Sequence, residues 1–255
     1  WRDWYSTCNN GYRKIMKIDN LKELEEQGYT IVSKLVEIEF LDAIKESVTA
    51  IFQKQVEYTK SKNIVDLFKN HNERFANCAK HAQWNLQLHH LGVMLGYKIS
   101  KFMIEPQVSI CTRPVIYFNN KDTAEKSVHH TTPAHQDSKS MQGSSDALVC
   151  WVPLIDITED LGRLEVVPKS HKSGDLTKSL QDGFGLVEDS EFEFKSVNVP
   201  KGSVLVFDSN LVHRSGNIKE GTRWSVHYRF NNMYDPEYII KGYPHNYTYA
   251  PKSKV

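Results

Sequence analysis

The chain has 255 residues, is 40% hydrophobic, and carries a formal net charge of +1. That length holds one large domain or two small ones, in a composition typical of globular proteins and without low-complexity tracts. With no long basic run, nucleic acid is not an expected partner, and no apolar stretch reaches the roughly 18 residues of a membrane span.

In chain order, residues 1–18 are mixed and suggest no element. Asp19-Asn20 ahead of Leu21 and Leu24 predicts a helix start with an Asx cap, ended by Gly28, after which Tyr29–Val32 reads as a short strand. Phe40, Leu41, Ile44, Val48, Ile51 and Phe52 recur at helical spacing and predict a helix over 37–58. Two more helices are expected over 63–78 and 82–100. After residue 103 the texture changes to short β-rich runs punctuated by Gly, Pro and Asn: Gln107–Thr112, Val115–Phe118, Ala147–Leu154, Leu164–Val167, Phe192–Val199, Ser203–Phe207 and Trp224–Phe230. Many short strands with helices gathered at one end predict a mainly β fold with N-terminal helices, its core a double-stranded β-helix, the cupin-like jelly roll. We expect a single domain over 1–255, with helical support to about 102, a jelly-roll core over about 103–234 and a surface tail over 235–255.

Cys8, Cys78, Cys111 and Cys150 form no C-x-x-C pair, and no signal-peptide pattern opens the chain, so reduced thiols and a cytoplasmic setting are expected. Asn246-Tyr247-Thr248 fits a glycosylation sequon with nothing else pointing to a secretory route.

The chemistry centres on His135-Gln136-Asp137, answered much later by His213. A histidine, a carboxylate two residues on and a distant second histidine form the ligand set of a facial triad, which holds Fe(II) on one side and leaves the other open. Residues i and i+2 at a strand end point the same way and can share one ion. Alone, H-x-D occurs by chance in many chains; the surroundings of His213 strengthen it. Val204–Phe207, the turn Asp208-Ser209-Asn210 and then Leu211-Val212-His213 give the strand, turn and short strand that deliver a distal ligand. Ten residues beyond His213, Arg223 could form a two-pronged ion pair with a ligand carboxylate, or pair with a structural acid; Ser225, on the same face, could donate to that carboxylate.

The adjacent pairs His89-His90 and His129-His130 suit structural or surface roles, because strand neighbours point to opposite faces. His71, His81, His227 and His245 have no partner spacing and stay unassigned. His171 reads as a turn residue, and Asp156 and Asp160 as solvated turn acids. Along 107–113, Gln107, Ser109, Cys111 and Arg113 alternate, so Arg113, with Lys139, could bind an anionic substrate group; surface charge near a turn is the plainer reading.

The run His135–Asp137, then Trp151–Asp156, Gly162–His171, Pro200–Phe207, His213-Arg214-Ser215 and Arg223 resembles the phytanoyl-CoA dioxygenase family in order and spacing, in detail over roughly 104–231. Gly28–Val32 resembles its early helix-to-strand passage, whereas 37–100 resembles it only in general character. Lys169 stands where members often carry Gly, a departure that bears on a turn rather than on the metal.

The resemblance implies a non-haem Fe(II) oxygenase using 2-oxoglutarate and O₂ and releasing succinate and CO₂. His135, Asp137 and His213 would hold the iron, and Arg223 the far carboxylate of 2-oxoglutarate. Ser215, Ser225, Gln136 and Tyr117 would serve the cosubstrate pocket. A carboxylate in the triad favours hydroxylation over halogenation. The expected substrate is a small organic metabolite, polar or anionic, since no basic cluster suited to CoA is evident; oligomeric state is not readable. Two other classes compete: a cupin-like metal-binding protein without 2-oxoglutarate, against which Arg223 argues, and a silent binding domain, against which the intact triad argues.

Overall fold

The computed structural model describes residues 18–124, 132–181 and 184–244. Cys8, His129, His130, His245 and the Asn246 sequon lie outside the described residues. The first helix, α1 (Ile18–Gln27), stops at Gly28, whose φ of +83° is left-handed. A side chain is excluded there twice, by that conformation and by the His171 ring and Leu211, which a Cβ would strike. β1 (Tyr29–Val32) follows at once.

α2 (Ile38–Thr59) buries Leu41, Ile44, Val48, Phe52 and Val56, a stripe at three- and four-residue spacing. Where one helix is expected over 63–78 there are two, α3 (Ile64–Asn70) and α4 (Asn72–Ala82), broken at His71. The break has a packing reason. Phe68 and Phe75 meet edge-on with ring centroids 5.0 Å apart, whereas on one straight helix they would be separated by about 10 Å of rise. α5 (Leu86–Ile99) begins where the Asn85 side chain accepts from the Gln87 N–H, and it buries Leu88, Leu91, Leu95 and Ile99.

The remaining elements are mostly short strands: β2 (Val108–Ile110), β3 (Val115–Asn120), β4 (His135–Gln136), β5 (Leu148–Pro153), β6 (Leu164–Val166), β7 (Ser179–Gln181), β8 (Phe184–Leu186), β9 (Lys195–Ser196), β10 (Val204–Asp208), β11 (His213–Ser215) and β12 (Thr222–Asn232). Two short helices lie between them, α6 (Lys121–Ala124) and α7 (Ser138–Met141), and a third, α8 (Pro236–Ile240), follows β12. The strand expected over 192–199 contracts to β9, because Phe192 and Phe194 pack instead on the cluster of Ala134, Val187 and Val212.

The described strands form two antiparallel sheets. One runs β1-β10-β5-β12-β2, with β3 also on β12; the other runs β7-β8-β4-β11-β6-β9. This is the jelly roll backed by N-terminal helices that the sequence predicts. Cys150, Val152, Val204, Val206, Val226, Tyr228 and Phe230 on one face of the first sheet share a core with the helices. Phe52, Phe75, Phe118 and Trp224 pack ring against ring across that junction, mostly edge-on, and the Tyr228 hydroxyl donates to the Leu88 carbonyl at 2.9 Å. The opposite face carries Val149, Trp151, Leu205 and Phe207 toward Leu164 and Val166. β5 and β10 are covered on both faces, which is why they read as nearly continuous apolar runs. Among the described residues no helix is long and apolar enough to cross a membrane, and no disulfide joins Cys78, Cys111 or Cys150.

Candidate metal centre

β4 and β11 lie side by side in the second sheet with His135 directly opposite His213. Opposed residues of an antiparallel pair project to the same face, and the two imidazole centroids are 4.1 Å apart. Asp137, two residues past His135, opens α7 and turns its carboxylate onto both rings. His135 Nε2 is 3.8 Å from Asp137 Oδ1, and His213 Nε2 is 3.9 Å from Asp137 Oδ2. All three residues are buried, and one ligand atom from each lies within 4.8 Å of the others.

The surroundings orient these donors. His135 Nδ1 bonds the Pro133 carbonyl at 2.8 Å, and His213 Nδ1 bonds the Leu211 carbonyl at 2.9 Å. A carbonyl accepts only an N–H, so each neutral ring carries its proton on Nδ1 and turns the Nε2 lone pair to the centre. Burial keeps both rings neutral: it pushes His135 down to about 3, with His213 adding to the effect and Asp137 opposing it, and it lowers His213 in the same sense. Burial alone would raise Asp137, but Arg229, His213 and His135 outweigh it and hold the carboxyl below its ordinary range. The Arg229 guanidinium donates to Asp137 Oδ1 at 2.9 Å, while Asp137 Oδ2 and His213 Nε2 are buried without a hydrogen-bond partner. Two neutral imidazoles and one carboxylate with desolvated lone pairs facing one point are a donor set that suits Fe(II).

A small pocket lies beside the two ligand histidines. Tyr117, Thr132, His135, Leu164, His213, Arg214, Ser215, Arg223 and His227 line it. Arg223 is buried on β12, and its guanidinium donates to the Gly162 carbonyl and, at 3.1 Å, to Ser215 Oγ. Burial lowers its pKa to about 10. Among the described residues no acidic side chain pairs with it, so the reading of Arg223 as a structural ion pair gains no support, and its Nε is left without a partner. Ser215 Oγ also accepts from the Thr132 N–H at 3.3 Å. Tyr117 packs tilted against His227, centroids 4.5 Å apart. Ser225 lies between Arg223 and His227 on the same strand face, its Oγ buried and without a partner.

Besides the ligand Asp137, four expected residues are absent from the pocket lining: Ser225, which stays on the Arg223 face of its strand, and three that turn elsewhere. Gln136 points away from the ligands beside it, because period-two alternation sends i+1 to the other face. Its amide nitrogen donates to the Gly174 and Asn210 carbonyls at 2.8 and 2.6 Å, and its oxygen accepts from the Leu176 N–H at 2.7 Å. It is a brace between loops, and no polar group remains for a cosubstrate. Arg113 Nε donates to Gln83 Oε1 at 2.7 Å, tying the β2–β3 turn to the helical layer. Lys139 pairs with Asp175 at 2.6 Å on the surface. Neither Arg113 nor Lys139 lines the pocket.

The other singled-out residues have local roles. His89 stacks on Trp84 and His90 packs edge-on against Phe40. His171 bonds the Glu25 carbonyl at 3.2 Å beneath Gly28, Asp156 accepts from the Lys201 N–H, and Asp160 pairs with Lys219. Arg229 and His227 belong to the site without being singled out by spacing. A signal was present: Arg223, Ser225, His227 and Arg229 alternate with Trp224, Val226, Tyr228 and Phe230, and period two puts the polar set on one face.

The profile of the phytanoyl-CoA dioxygenase (PhyH) family matches residues 24–223. Among solved structures, AviO1 from Streptomyces viridochromogenes Tue57 superposes with a TM-score of 0.53 at 17% identity, over 88% of this chain and 98% of that one. SnoK, described as a non-heme alpha ketoglutarate dependent carbocyclase from nogalamycin biosynthesis, gives 0.61 at 14% identity, over 91% and 92%. HygX from Streptomyces hygroscopicus, solved with nickel and 2-oxoglutarate bound, gives 0.56 at 13% identity, over 86% and 88%. At these identities the likeness is one of fold.

Proposed function

The chain belongs to the phytanoyl-CoA dioxygenase family, and from that premise we propose that it hydroxylates a small organic metabolite at an unactivated C–H bond, with succinate and CO₂ as coproducts. It is an enzyme of the Fe(II)- and 2-oxoglutarate-dependent class. The observation carrying the reading is the convergence of His135, Asp137 and His213 on one point, with the two histidines lining a pocket they share with a buried, acid-free Arg223.

In this reading His135, Asp137 and His213 hold Fe(II), and Arg223 with Ser215 anchors the far carboxylate of 2-oxoglutarate. When bound, the iron and 2-oxoglutarate together supply the power to activate O₂. The chain supplies placement. Arg229 fixes Asp137 so that one oxygen faces the ion, and the two backbone carbonyls fix the imidazoles. The Arg223 charge, desolvated by the barrel, recognises a carboxylate more strongly than it would in water. Tyr117 and Leu164 wall the pocket, keeping water from the reacting atoms. The helices back the sheet that carries Arg223 and Arg229, and we take the chain to work as a single domain.

Hydroxylation is favoured over halogenation because Asp137 fills the third ligand position, leaving it closed to halide. The decisive assay is succinate formation from 2-oxoglutarate in air. We expect iron-dependent succinate from the wild type and none from His213→Ala; succinate at the wild-type rate from His213→Ala would overturn the ligand assignment.

A further inference from the structure

We propose that His227 binds the metal-chelating end of 2-oxoglutarate, hydrogen-bonding the near carboxylate while Arg223 holds the far one. The inference rests on the functional reading above and assigns a role to a residue that the reading leaves idle. β12 presents Arg223, Ser225, His227 and Arg229 on its inner face in that order. The two ends of this row are fixed by their partners. Arg223 reaches Gly162 and Ser215 at one end, and Arg229 reaches the Asp137 carboxylate at the other. Inner-face residues succeed one another at about 7 Å, so His227 stands one step from the Asp137 partner and two from the carboxylate anchor. Arg223 and His227 line the same pocket as the two ligand histidines, so a diacid held at its far end by Arg223 would turn its chelating end toward His227.

The local chemistry agrees. His227 shares the pocket with His135 and His213. Its ring is wedged between Tyr117, 4.5 Å away and tilted, and Trp151, 6.4 Å away and edge-on. That clamp fixes the ring plane, yet Nδ1 is buried with no hydrogen-bond partner. An imidazole held this firmly with a polar atom left unsatisfied costs stability in the protein by itself, as expected of a group kept for a ligand. Burial, with Arg229 adding to it, holds the ring neutral. A neutral ring can offer one N–H to a carboxylate oxygen and adds no second positive charge beside the metal.

The test separates the two ends of the cosubstrate. Fe(II)-loaded protein is titrated without oxygen, by calorimetry and by the visible band of the chelate. One probe is 2-oxoglutarate; the other is 2-oxobutyrate, which has the chelating end but no far carboxylate. We expect His227→Phe to weaken both probes about tenfold, the effect of one hydrogen bond to a charged group, to shift the band, and to leave Fe(II) affinity unchanged. His227→Gln, which keeps a donor, should recover most of the loss for both. Wild-type affinity for both probes in His227→Phe would overturn the proposal. So would a loss confined to 2-oxoglutarate, or a loss that His227→Gln fails to recover. A wild type that takes up Fe(II) but neither probe would overturn the functional reading itself, and this inference with it.

Discussion

The two faces of β12 are made from one strand and follow different rules. Trp224, Val226, Tyr228 and Phe230 enter the core shared with the helices, where Tyr228 spends its one polar atom on a backbone carbonyl. Arg223, Ser225, His227 and Arg229 face the barrel interior just as deeply buried, with buried polar atoms at Arg223 Nε, Ser225 Oγ and His227 Nδ1 that no partner satisfies. The outer face is what a fold requires, apolar area removed from water with the buried Tyr228 hydroxyl matched. The inner face costs the fold free energy, and the strand can carry it because the outer face and its neighbours hold the backbone in place.

Substitutions on the two faces should therefore separate function from stability. The largest contrast sets a ligand against the core. His135→Ala or His213→Ala should abolish iron binding and turnover while the protein still melts cooperatively. Val226→Ala should lower stability by about 2 kcal/mol in denaturant titration and leave iron affinity as in the wild type. Iron binding kept in the first pair, or lost in the second, would break the division.

Arg229 stands on the border, since it supports a ligand and is itself buried. Arg229→Met keeps the volume but leaves the Asp137 charge unmatched. We expect Fe(II) affinity to fall about 10- to 100-fold, together with a loss of about 3 kcal/mol in stability. A stability loss with intact iron affinity would make Arg229 a purely structural partner.

The metal-free protein should also show the inner face in its pH dependence. His135 has its pKa lowered from 6.5 in a free chain to about 3 when folded. Between those values the unfolded chain binds the proton and the folded one does not, so stability falls as pH drops from about 6.5 toward 3. Asp137, also depressed, acts in the same direction at the acid end of that range. Thermal melting of apo-protein across this window should show a falling midpoint, and His135→Gln should make the fall shallower, the remainder coming from His213 and His227, which burial lowers in the same sense; a midpoint that rises on acidification would contradict the buried neutral imidazole.

The smallest effect belongs to a residue that neither face uses. Lys139→Ala breaks only an exposed pair with Asp175. It should change stability by about 0.5 kcal/mol or less and leave 2-oxoglutarate affinity unaltered. A clear change in turnover would return Lys139 to the site.

How much of this is legible in the chain follows from the same alternation. β5 and β10 are readable because both their faces are covered and nearly every position is apolar, Asp208 at the end of β10 excepted. β4 and β11 are too short to read as strands, yet their ligands are readable because H-x-D with a distant His is a chemical pattern rather than a structural one. Gln136 marks the limit of adjacency: its neighbours in sequence are ligands, but period two turns it to the opposite face and into three backbone contacts. His227 marks the opposite error. Taken singly it has no partner spacing, while taken with Arg223, Ser225 and Arg229 it belongs to one polar row. The helix break at His71 is not readable, because it answers to Phe68 meeting Phe75 in three dimensions.

The most direct test of the central claim is an anaerobic titration of apo-protein with Fe(II) and then 2-oxoglutarate, following the visible charge-transfer band of the chelate. A saturable band in the wild type, with Arg223→Ala needing about 100-fold more 2-oxoglutarate at unchanged Fe(II) affinity, is the predicted result. Tight Fe(II) binding with no band at any 2-oxoglutarate concentration would contradict it and leave a jelly-roll metal protein in its place.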